Sequence, residues 1–467
     1  MLTYDLSQRG NLSLYDYLYR CIKQDILAGH IRANERLPSK RQLATHLKIS
    51  VITVEGAYAQ LLTEGYIRSQ EKRGYFAEAV ATTQQSAAVH GIVTTQPPSP
   101  WFLDLTSNHL NKGDFPFSLW AKEVRRVLLD EGDHLVESVP YNGTASLREA
   151  IARYLHRFRG LQVHPEQVVV GAGTEYLYGL IVQLLGRERV FALEDPGYRK
   201  IADIYRLNGV TCRHIPVDGQ GLSVDELLDS DATVAHLSPA HHFPSGAVMP
   251  VGRRQALLEW AHGGDRYLIE DDYDSEFRMS GRPIPPLAGL DGHGRVIYIN
   301  TFSKSLAPSL RIAYAVLPPA LAQRFREALG VYACTVPSIE QHTLARFLES
   351  GAFERHLARM KTVYRLRRNA VIEAIQSSPF GPYTAISESD AGLHFLLTLR
   401  PPYNGADVVH TAEQVGIRLS CLSDYQHTPD GRYANTLVIN YSGADTSRLD
   451  EAIDRLRTAL KREESFV

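Results

Sequence analysis

One lysine in this chain stands where a lysine side chain can do covalent chemistry. Lys304 lies in the segment 301–311, TFSKSLAPSLR, directly after the apolar run VIYIN. This order predicts a buried strand with the lysine just beyond its carboxyl end, at the edge of an α/β sheet where ligands bind. An amine in that place can form a Schiff base with a carbonyl compound.

Polar residues around Lys304 offer the other groups that a phosphorylated pyridine aldehyde requires. The hydroxyls of Thr301 and Ser303 and the cation of Arg311 can hold a phosphate. Asp271 ends another apolar run, YLIE, and its carboxylate can keep a pyridine nitrogen protonated, because the attraction between opposite charges outweighs desolvation. Together with the amine, these groups match the needs of pyridoxal phosphate.

Three further segments can complete a cradle for this cofactor. Tyr273 follows Asp271 closely and can bond to the phenolic oxygen of the cofactor. Gly173 and Thr174 stand where a predicted strand turns into a helix, whose first N–H groups and dipole attract phosphate. This glycine turn also resembles a truncated dinucleotide fingerprint. Tyr198, in EDPGY, can stack on the pyridine ring, although a single tyrosine more often serves packing.

A sheet must bring these side chains together, and the pattern beyond Trp101 predicts one. Apolar runs such as QVVVG, RVFALE, ATVAHLS and RYLIED alternate with amphipathic stretches such as SLREAIARYLHRFRG. This alternation is typical of a doubly wound α/β domain. From about residue 340 a charge-rich helical stretch is followed by the short runs HFLLTLR and NTLVINYS, which predict a smaller α+β subdomain.

The chain has 467 residues, enough for two or three folding units. The segment 78–101 has few charges and little apolar periodicity, and it ends close to a Pro-Pro-Ser-Pro run, as extended linkers do. We therefore expect a front domain at 1–77 and an α/β domain at 102–467. The large part of the second domain is expected at about 102–335 and the small subdomain at about 336–467.

The front domain has the pattern of a winged helix-turn-helix. A helical stripe begins after Ser13, and Ser39 can cap a short second helix. A turn at 48–50 then leads to a helix at 51–62, which has the place of a recognition helix. Residues 64–76 complete the pattern as a hairpin with a basic turn, the wing.

A winged helix-turn-helix binds double-stranded DNA, whereas a three-helix packing module with a solvated basic face is the structural alternative. The particular polar residues at the turn and the wing favour DNA binding. The residues expected to contact an operator are Ser39, Lys40, Arg41, Lys48, Ser50, Thr53, Arg68, Lys72 and Arg73.

Composition adds little about partners. The net charge is -2, and residues 1–80 hold eleven Lys and Arg against eight Asp and Glu, which favours DNA only weakly. The absence of a long apolar run or a charged-then-apolar leader predicts a cytoplasmic protein without membrane contact. The four cysteines are far apart in the sequence, so neither a disulfide framework nor a metal cluster is expected.

Residues 12–77 resemble the winged helix-turn-helix of GntR-type bacterial regulators. The segments LPSKRQLA, SVITV and LLTEGYI carry this resemblance. One departure is Val51, because the family usually places an arginine directly after the turn serine. The loss of that contact to a phosphate or a guanine leaves the basic residues named above as candidate backbone contacts.

Residues from about 101 to 460 resemble fold type I pyridoxal-phosphate enzymes, the aspartate aminotransferase superfamily, and the fusion resembles the MocR/GabR subfamily of GntR regulators. The segments EDPGY, EDDYDSEF and TFSKSLAPSLR carry this resemblance in combination. It implies that Lys304 forms the Schiff base and that Asp271 pairs with the pyridinium. It also implies that Tyr273 contacts the phenolic oxygen and that Tyr198 stacks on the ring.

The same resemblance implies how the phosphate is held and how the chain assembles. The residues that would hold the phosphate are Gly173, Thr174, Thr301, Ser303 and Arg311. Tyr141 would reach the phosphate of the other subunit across the interface of a homodimer, which we expect to be head-to-tail.

Two departures from the aminotransferase pattern bear on the ligand. Phe243 occupies the place of an asparagine that usually lies against the cofactor, and one of the neighbouring histidines, taken as His242, can replace its hydrogen bond, although a structural role is as common for such histidines. Val438 aligns with an arginine that grips the α-carboxylate of an amino acid. Unless Arg418 or Arg432 takes over, the effector is expected to be pyridoxal phosphate itself.

The sequence thus predicts a transcriptional regulator that binds a double-stranded DNA operator under the control of pyridoxal phosphate, an amino acid effector or both, and that acts on vitamin B6 metabolism if it senses the cofactor. One alternative is a functional aminotransferase with an accessory DNA-binding module. Another is a DNA-binding scaffold whose cofactor domain no longer binds cofactor.

Overall fold

The structure is a computed structural model that describes residues 1–80, 101–106, 110–111, 113–279, 281, 283–388 and 390–464. It divides into two compact units, Met1–Pro98 and Ser99–Val467. Most of the predicted linker, 78–101, lies outside the described residues. No helix in the described part of the chain combines the length and the apolar character that a membrane crossing requires.

The described residues of the first unit form a short 3-10 helix (Leu6–Arg9), three α-helices and a two-stranded antiparallel hairpin. The α-helices and strands are α1 (Leu14–Leu27), α2 (Lys40–Leu47), α3 (Val51–Thr63), β1 (Ile67–Gln70) and β2 (Gly74–Ala77). Buried residues that recur at helical spacing, among them Leu18, Ile22, Val54, Tyr58 and Leu61, form its core.

Serine caps set the helix boundaries of this unit, as the sequence predicts. Ser13 accepts a hydrogen bond from the backbone of Asp16 at the start of α1. Ser39 forms a capping box with Gln42 at the start of α2. Because the caps fix where α2 and α3 begin, they also fix which side chains lie on the exposed face of each helix.

The second unit alternates strands and helices over most of its length. In chain order these are β3 (Leu103–Asp104), α4 (Phe117–Asp130), α5 (Ala145–Tyr154), β4 (Val168–Gly171), α6 (Thr174–Leu185), β5 (Val190–Asp195), α7 (Arg199–Leu207), β6 (Thr211–Asp218), β7 (Gly221–Leu222), α8 (Val224–Leu228), β8 (Val234–Leu237), α9 (Val251–His262), β9 (Tyr267–Asp271), β10 (Val296–Thr301), β11 (Ala313–Val316), α10 (Pro319–Leu329), α11 (Ser338–Glu349), α12 (Ala352–Ser377), β12 (Thr384–Ser387), β13 (His394–Leu399), α13 (Gly405–Gln414), β14 (Ile417–Arg418), β15 (Thr436–Asn440) and α14 (Leu449–Glu464).

In the described part of the second unit, eight strands form the main sheet in the order β4-β11-β10-β9-β8-β5-β6-β7. The five strands β10, β9, β8, β5 and β6 run parallel. Beside β10, β11 runs antiparallel to them, and β4, which pairs antiparallel with β11, runs in the same direction as the five. The carboxyl ends of the parallel strands therefore meet at one edge of the sheet, where ligands bind in folds of this kind.

Helices cover both faces of this sheet, because alternate residues of one strand enter different cores. Val168 and Val170 of β4 pack in the cluster that contains Leu147 of α5, whereas Val169 packs in the cluster that contains Leu177 of α6. The chain beyond α11 adds the three-stranded antiparallel sheet β12-β13-β15 and the helices α13 and α14.

The predicted fold class, a winged helix-turn-helix joined to a fold type I α/β unit with a smaller C-terminal α+β part, is confirmed. Two details differ from the sequence analysis. The long helical stretch after residue 337 is two helices, because the chain turns at Gly351 with φ of 67°. The apolar runs of the sequence also did not predict β11, which pairs antiparallel with β10 on one side and with β4 on the other.

Candidate cofactor cavity and nucleic-acid surface

Lys304 lies in a turn directly after β10, at the carboxyl edge of the parallel strands. Burial lowers the pKa of its amine to about 8, although Asp274 and Asp271 favour the charged form. Such a lysine holds more neutral amine near neutral pH than an exposed lysine does. The neutral amine is the form that attacks a carbonyl carbon.

Asp271 ends β9, the strand beside β10. Its Oδ2 accepts a hydrogen bond from the Tyr178 hydroxyl at 2.5 Å and lies 3.4 Å from Nε2 of His236. Nδ1 of that histidine lies 2.7 Å from the Tyr205 hydroxyl. Oδ1 of Asp271 is buried and has no hydrogen-bond partner among the described residues. This oxygen fits the N–H of a pyridinium ring, and the buried partners hold the carboxylate in place.

The start of α6 offers a place for a phosphate. Gly173 precedes the helix with φ of 96°, and within the described chain no side chain caps its first turn. The φ of 96° is a conformation that residues other than glycine rarely adopt, and a Cβ on Gly173 would also lie 2.5 Å from Nη2 of Arg311 and displace the guanidinium. Arg311 itself has φ of 52°, which is uncommon for a residue other than glycine and typical of functional sites.

Two hydroxyls of the predicted set lie on the wall of the same cavity. The Thr301 hydroxyl donates to Oγ of Ser303 at 2.9 Å, and the Ser303 N–H donates to Oγ1 of Thr301 at 3.1 Å. With Thr174 and Arg311 they give hydroxyl, backbone N–H and guanidinium donors, the set that binds a phosphate.

The two consecutive histidines have different hydrogen-bond partners. Nδ1 of His241 lies 3.3 Å from the Tyr273 hydroxyl and 3.0 Å from Oδ2 of Asp274. His242 lies outside the described lining of the cavity, and its Nδ1 is 2.6 Å from Oγ of Ser245. Burial lowers the pKa of His242 to about 3. His241 is therefore the histidine beside Tyr273, and the cofactor contact of His242 stays a prediction.

One cavity of about 1010 Å³ collects most of the predicted cofactor residues. Those on its wall are Thr174, Tyr198, Asp271, Tyr273, Thr301, Ser303, Lys304 and Arg311. Tyr141 lies outside the described lining and packs against Phe325, with ring centroids 5.9 Å apart. Its contact with a second subunit stays a prediction.

Aromatic rings form another part of the cavity wall. Tyr198 is 52% exposed, so its ring is open to a ligand. Phe243 meets the Tyr198 ring edge-on at 5.9 Å and the Tyr425 ring at 5.1 Å. Phe243 therefore offers packing where an asparagine would offer a hydrogen bond.

Val438 lies in β15 and is buried in an apolar cluster that also contains Leu396 and Leu422. It gives no cation to the cavity. Arg418 does lie on the cavity wall, with Nη1 3.5 Å from Asp104, whereas Arg432 lies outside the described lining and is 66% exposed. Of the two arginines considered as substitutes for a carboxylate clamp, only Arg418 is in a suitable place within the described residues.

Sequence reasoning missed several groups of this cavity. Tyr178, His236 and Glu194 all lie on its wall, and Glu194 accepts a hydrogen bond from the backbone of Ser238 at 3.0 Å. Burial raises the pKa of Glu194 to about 8, and Asp271 adds to the rise. The position of Glu194 at the end of β5 was the available signal, because the carboxyl end of that parallel strand lies on the ligand edge of the sheet.

A second group of buried charges lies outside the described lining of the cavity. Arg159 and Asp272 form an ion pair with Nη2 and Oδ2 2.6 Å apart, and the side chains of both are 1% exposed. The Tyr298 hydroxyl donates to the same Oδ2 at 2.6 Å. Glu276 lies beside this pair and accepts a hydrogen bond from Asn300 at 3.3 Å.

Stability should fall with rising pH because of Glu276. Burial raises the pKa of this carboxyl from 4.5 to about 7, Asp272 adds to the rise and Arg159 opposes it. A raised folded-state pKa contributes stability that is complete below about pH 4.5 and is lost as the pH rises through about 7. Glu276→Gln should remove this dependence, which is worth about 1–3 kcal/mol.

The measurement is the free energy of unfolding of the second unit in urea, determined at several values between pH 5 and pH 8. Glu259→Gln, on an exposed residue, should leave the slope unchanged, and an equal slope in the Glu276 variant would contradict the assignment.

In the first unit, the predicted DNA contacts divide into two groups. Ser39, Ser50 and Thr53 are engaged in helix caps: Oγ of Ser50 accepts from the Thr53 backbone at 3.1 Å and lies 2.8 Å from its hydroxyl. Lys40 pairs with Glu55 at 2.5 Å, and Arg68 pairs with Glu78 at 2.9 Å. These ion pairs reduce the charge that Lys40 and Arg68 can offer to a phosphate.

Four basic side chains of the predicted set remain available. They are Arg41, Lys48, Lys72 and Arg73, all exposed, with no ion pair to another described residue. Arg41 lies in the first turn of α2, Lys48 lies in the turn between α2 and α3, and the other two lie at the tip of the wing. This distribution is suited to backbone phosphates on both sides of a groove.

Each of the two units matches a known protein family. Residues 101–456 match the family model described as aminotransferase class I and II, and residues 14–76 match that described as bacterial regulatory proteins, gntR family. Among solved structures, the fold is similar to that of the multiple substrate aminotransferase of Thermococcus profundus, with a TM-score of 0.68. The two sequences are 25% identical, and the match covers 83% of this chain and 98% of the other.

Full-length relatives share both units in one chain. YdeL of Bacillus subtilis, named an uncharacterized HTH-type transcriptional regulator, is 36% identical over 98% of each chain. MocR of Rhizobium meliloti, a probable rhizopine catabolism regulatory protein, is 31% identical over 97% of this chain and 95% of its own. PdxR of Corynebacterium glutamicum, an HTH-type pyridoxine biosynthesis transcriptional regulator, is 31% identical over 86% of this chain and 87% of its own.

Proposed function

We propose, on the premise that this chain belongs to the MocR/GabR subfamily of GntR-type transcriptional regulators, that it binds pyridoxal phosphate through Lys304 and that this ligand controls its binding to operator DNA. The observation that carries the proposal is a buried oxygen of Asp271 that has no hydrogen-bond partner among the described residues and lies in one cavity with the Lys304 amine. That pair of groups suits the two ends of a pyridine aldehyde.

The cofactor would supply an electrophilic carbonyl and a phosphate, and the chain's own residues would position it. Asp271 would hold the ring nitrogen, Tyr198 would pack on the ring, and Arg311 with the start of α6 would bind the phosphate. His241, fixed by Asp274, would hold the Tyr273 hydroxyl near the phenolic oxygen.

The effector that we propose is pyridoxal phosphate itself. Val438 places an apolar side chain where an amino acid carboxylate would need a cation, and a bidentate pair with arginine is worth about 1.5–3 kcal/mol. The relative PdxR is named for pyridoxine biosynthesis, which supports a link to vitamin B6 metabolism. A head-to-tail homodimer, in which Tyr141 meets the partner's ligand, would give two DNA-binding units per assembly.

Ligand control would be a population shift between arrangements of the two DNA-binding units. A ligand changes such an equilibrium only by its difference in affinity for the two states. The test is fluorescence anisotropy with duplexes that tile the DNA flanking the chain's own gene, without and with pyridoxal phosphate. We expect at least one duplex whose affinity changes with the ligand. Binding that is unaffected by pyridoxal phosphate but changes with one amino acid would refute the effector assignment, and steady turnover with a keto acid would favour an aminotransferase.

Arg41→Ala should weaken operator binding and make it less dependent on salt. Loss of one phosphate contact lowers the slope of log affinity against log salt by about 0.9. The matched control is Arg20→Ala, because Arg20 lies on α1 in an exposed pair with Asp16 at 3.2 Å. Binding isotherms at four salt concentrations measure the slope. Equal slopes for the Arg41 variant and the wild type would remove Arg41 from the interface.

A further inference from the structure

The first turn of α3 exposes two large apolar side chains side by side. Val51 is 42% exposed and Ile52 is 79% exposed, whereas Val54, Ala57, Tyr58 and Leu61 of the same helix are buried in the core. Isolated exposed apolar residues are common, but an adjacent pair at the functional end of a helix indicates a contact surface.

Polar side chains of the same helix are already engaged within the unit. Ser50 and Thr53 bond to each other, Glu55 pairs with Lys40, and the Gln60 amide donates to Glu64 at 2.7 Å. Each of these bonds holds its side chain to a neighbour within the unit, whereas the side chains of Val51 and Ile52 have no internal hydrogen bond that a contact with a base would disturb. Val51, Ile52 and Ala59 are the apolar residues left on the exposed face of α3.

Basic side chains stand near this apolar surface in the sequence, and their positive charge favours DNA as its binding partner. Arg41 and Lys48 are exposed nearby in sequence, without an ion pair to a described residue. Duplex DNA presents phosphates at the rim of its major groove, and the 5-methyl group of thymine is the apolar feature on the floor of that groove. The first turn of a recognition helix is the part that reaches base edges.

We propose that Val51 and Ile52 form a methyl-reading surface that recognises the 5-methyl group of thymine in each operator half-site. Apolar contact then supplies base specificity, and the free cations supply affinity without sequence preference. This inference rests on the DNA-binding function proposed above.

The test starts from a pool of random-sequence duplexes and full-length protein, with parallel selections in the absence and in the presence of pyridoxal phosphate. Duplexes that bind are selected and aligned, and each conserved thymine is then replaced by deoxyuridine, which removes the methyl group and keeps the base pair. At one or two thymines in each half-site we expect the affinity to fall about four-fold, the effect of exposing one methyl group.

Variants connect the lost methyl group to the side chain. With Ile52→Ala, the unmodified duplex should bind as weakly as the deoxyuridine duplex binds to wild type, and deoxyuridine should cause no further loss. Val51→Ala provides a second variant at the neighbouring position. The matched control is Thr63→Ala, because Thr63 is exposed at the other end of α3. That variant should keep the full response to deoxyuridine.

Failure of this inference can be told apart from failure of the proposed function. Tight selected binding with no sensitivity to any thymine methyl group would overturn the methyl-reading surface and leave the regulator function standing. Selection of no duplex at all would overturn both. If Ile52→Ala changes the sedimentation coefficient and leaves the response to deoxyuridine intact, the apolar pair contacts protein, and the inference is wrong.

Discussion

Lys304→Ala is expected to abolish the visible absorption that pyridoxal phosphate gives when it is bound as a Schiff base. The variant removes the only described lysine whose amine has a pKa lowered to about 8 by burial in the cavity. The alanine side chain leaves Asp271, Arg311 and the start of α6 intact, so the phosphate can still bind without a covalent link. The measurement is the absorption spectrum of protein incubated with the cofactor, followed by borohydride reduction and peptide mass analysis.

Lys200→Ala is the matched control for this experiment. Lys200 lies on the wall of the same cavity, but its ammonium pairs with Glu175 and is half exposed. Its variant should keep the absorption band and the reduced adduct on the peptide that contains Lys304. If the Lys304 variant keeps the band, or if the wild-type adduct lies on another peptide, the assignment of the nucleophile fails.

Strand-end reasoning was sufficient to find the centre of this cavity. Asp271 and Lys304 are 33 positions apart in sequence, yet Asp271 ends one buried strand, Lys304 follows another, and the two strands are parallel neighbours in the sheet. Their meeting therefore follows from sheet geometry alone. Gly173 could be found in the same way, because a glycine between a strand and a helix leaves the helix N–H groups open.

Side-chain direction was beyond the reach of the sequence. The sequence gives no means of distinguishing His241 from His242, because only the conformation of the turn decides which of the two rings contacts Tyr273. The ion pair of Lys40 with Glu55 joins two helices, and no local pattern predicts it. From the sequence, Val51 could be recognised only as a departure from the usual arginine. That Val51 and Ile52 form an exposed apolar pair on α3 follows only from the structure, because the sequence does not show which side chains of the helix are buried.

Arg159→Met is expected to destabilise the second unit by about 3–5 kcal/mol, because it leaves the carboxylate of Asp272 buried without its cation. The pair lies in a region where Tyr298 is also fully buried, so water cannot replace the guanidinium. Methionine retains most of the apolar volume, and the loss is therefore electrostatic rather than a cavity effect. The measurement is the free energy of unfolding in urea at pH 8.

The double variant Arg159→Met with Asp272→Leu should recover most of this loss. Nε and Nη1 of Arg159 and Oδ1 of Asp272 are buried with no hydrogen-bond partner among the described residues, so the intact pair is incompletely satisfied. Replacement of such a pair by apolar residues is often close to neutral. If the double variant is as unstable as the single variant, the loss of stability comes from the packing of these side chains and not from an unpaired buried charge.

The cost of Arg159→Met should also depend on pH, and this dependence separates an electrostatic cause from a packing cause. Arg159 opposes the rise in the pKa of Glu276, which lies beside Asp272. Without the guanidinium, protonation of the carboxyl cluster becomes more favourable in the folded state, so acid restores part of the stability. The loss should therefore be smaller at pH 5 than at pH 8, and Glu276→Gln in the same background should reduce that difference. A loss of equal size at both pH values would instead indicate that the methionine side chain packs badly against Tyr154 and Tyr298.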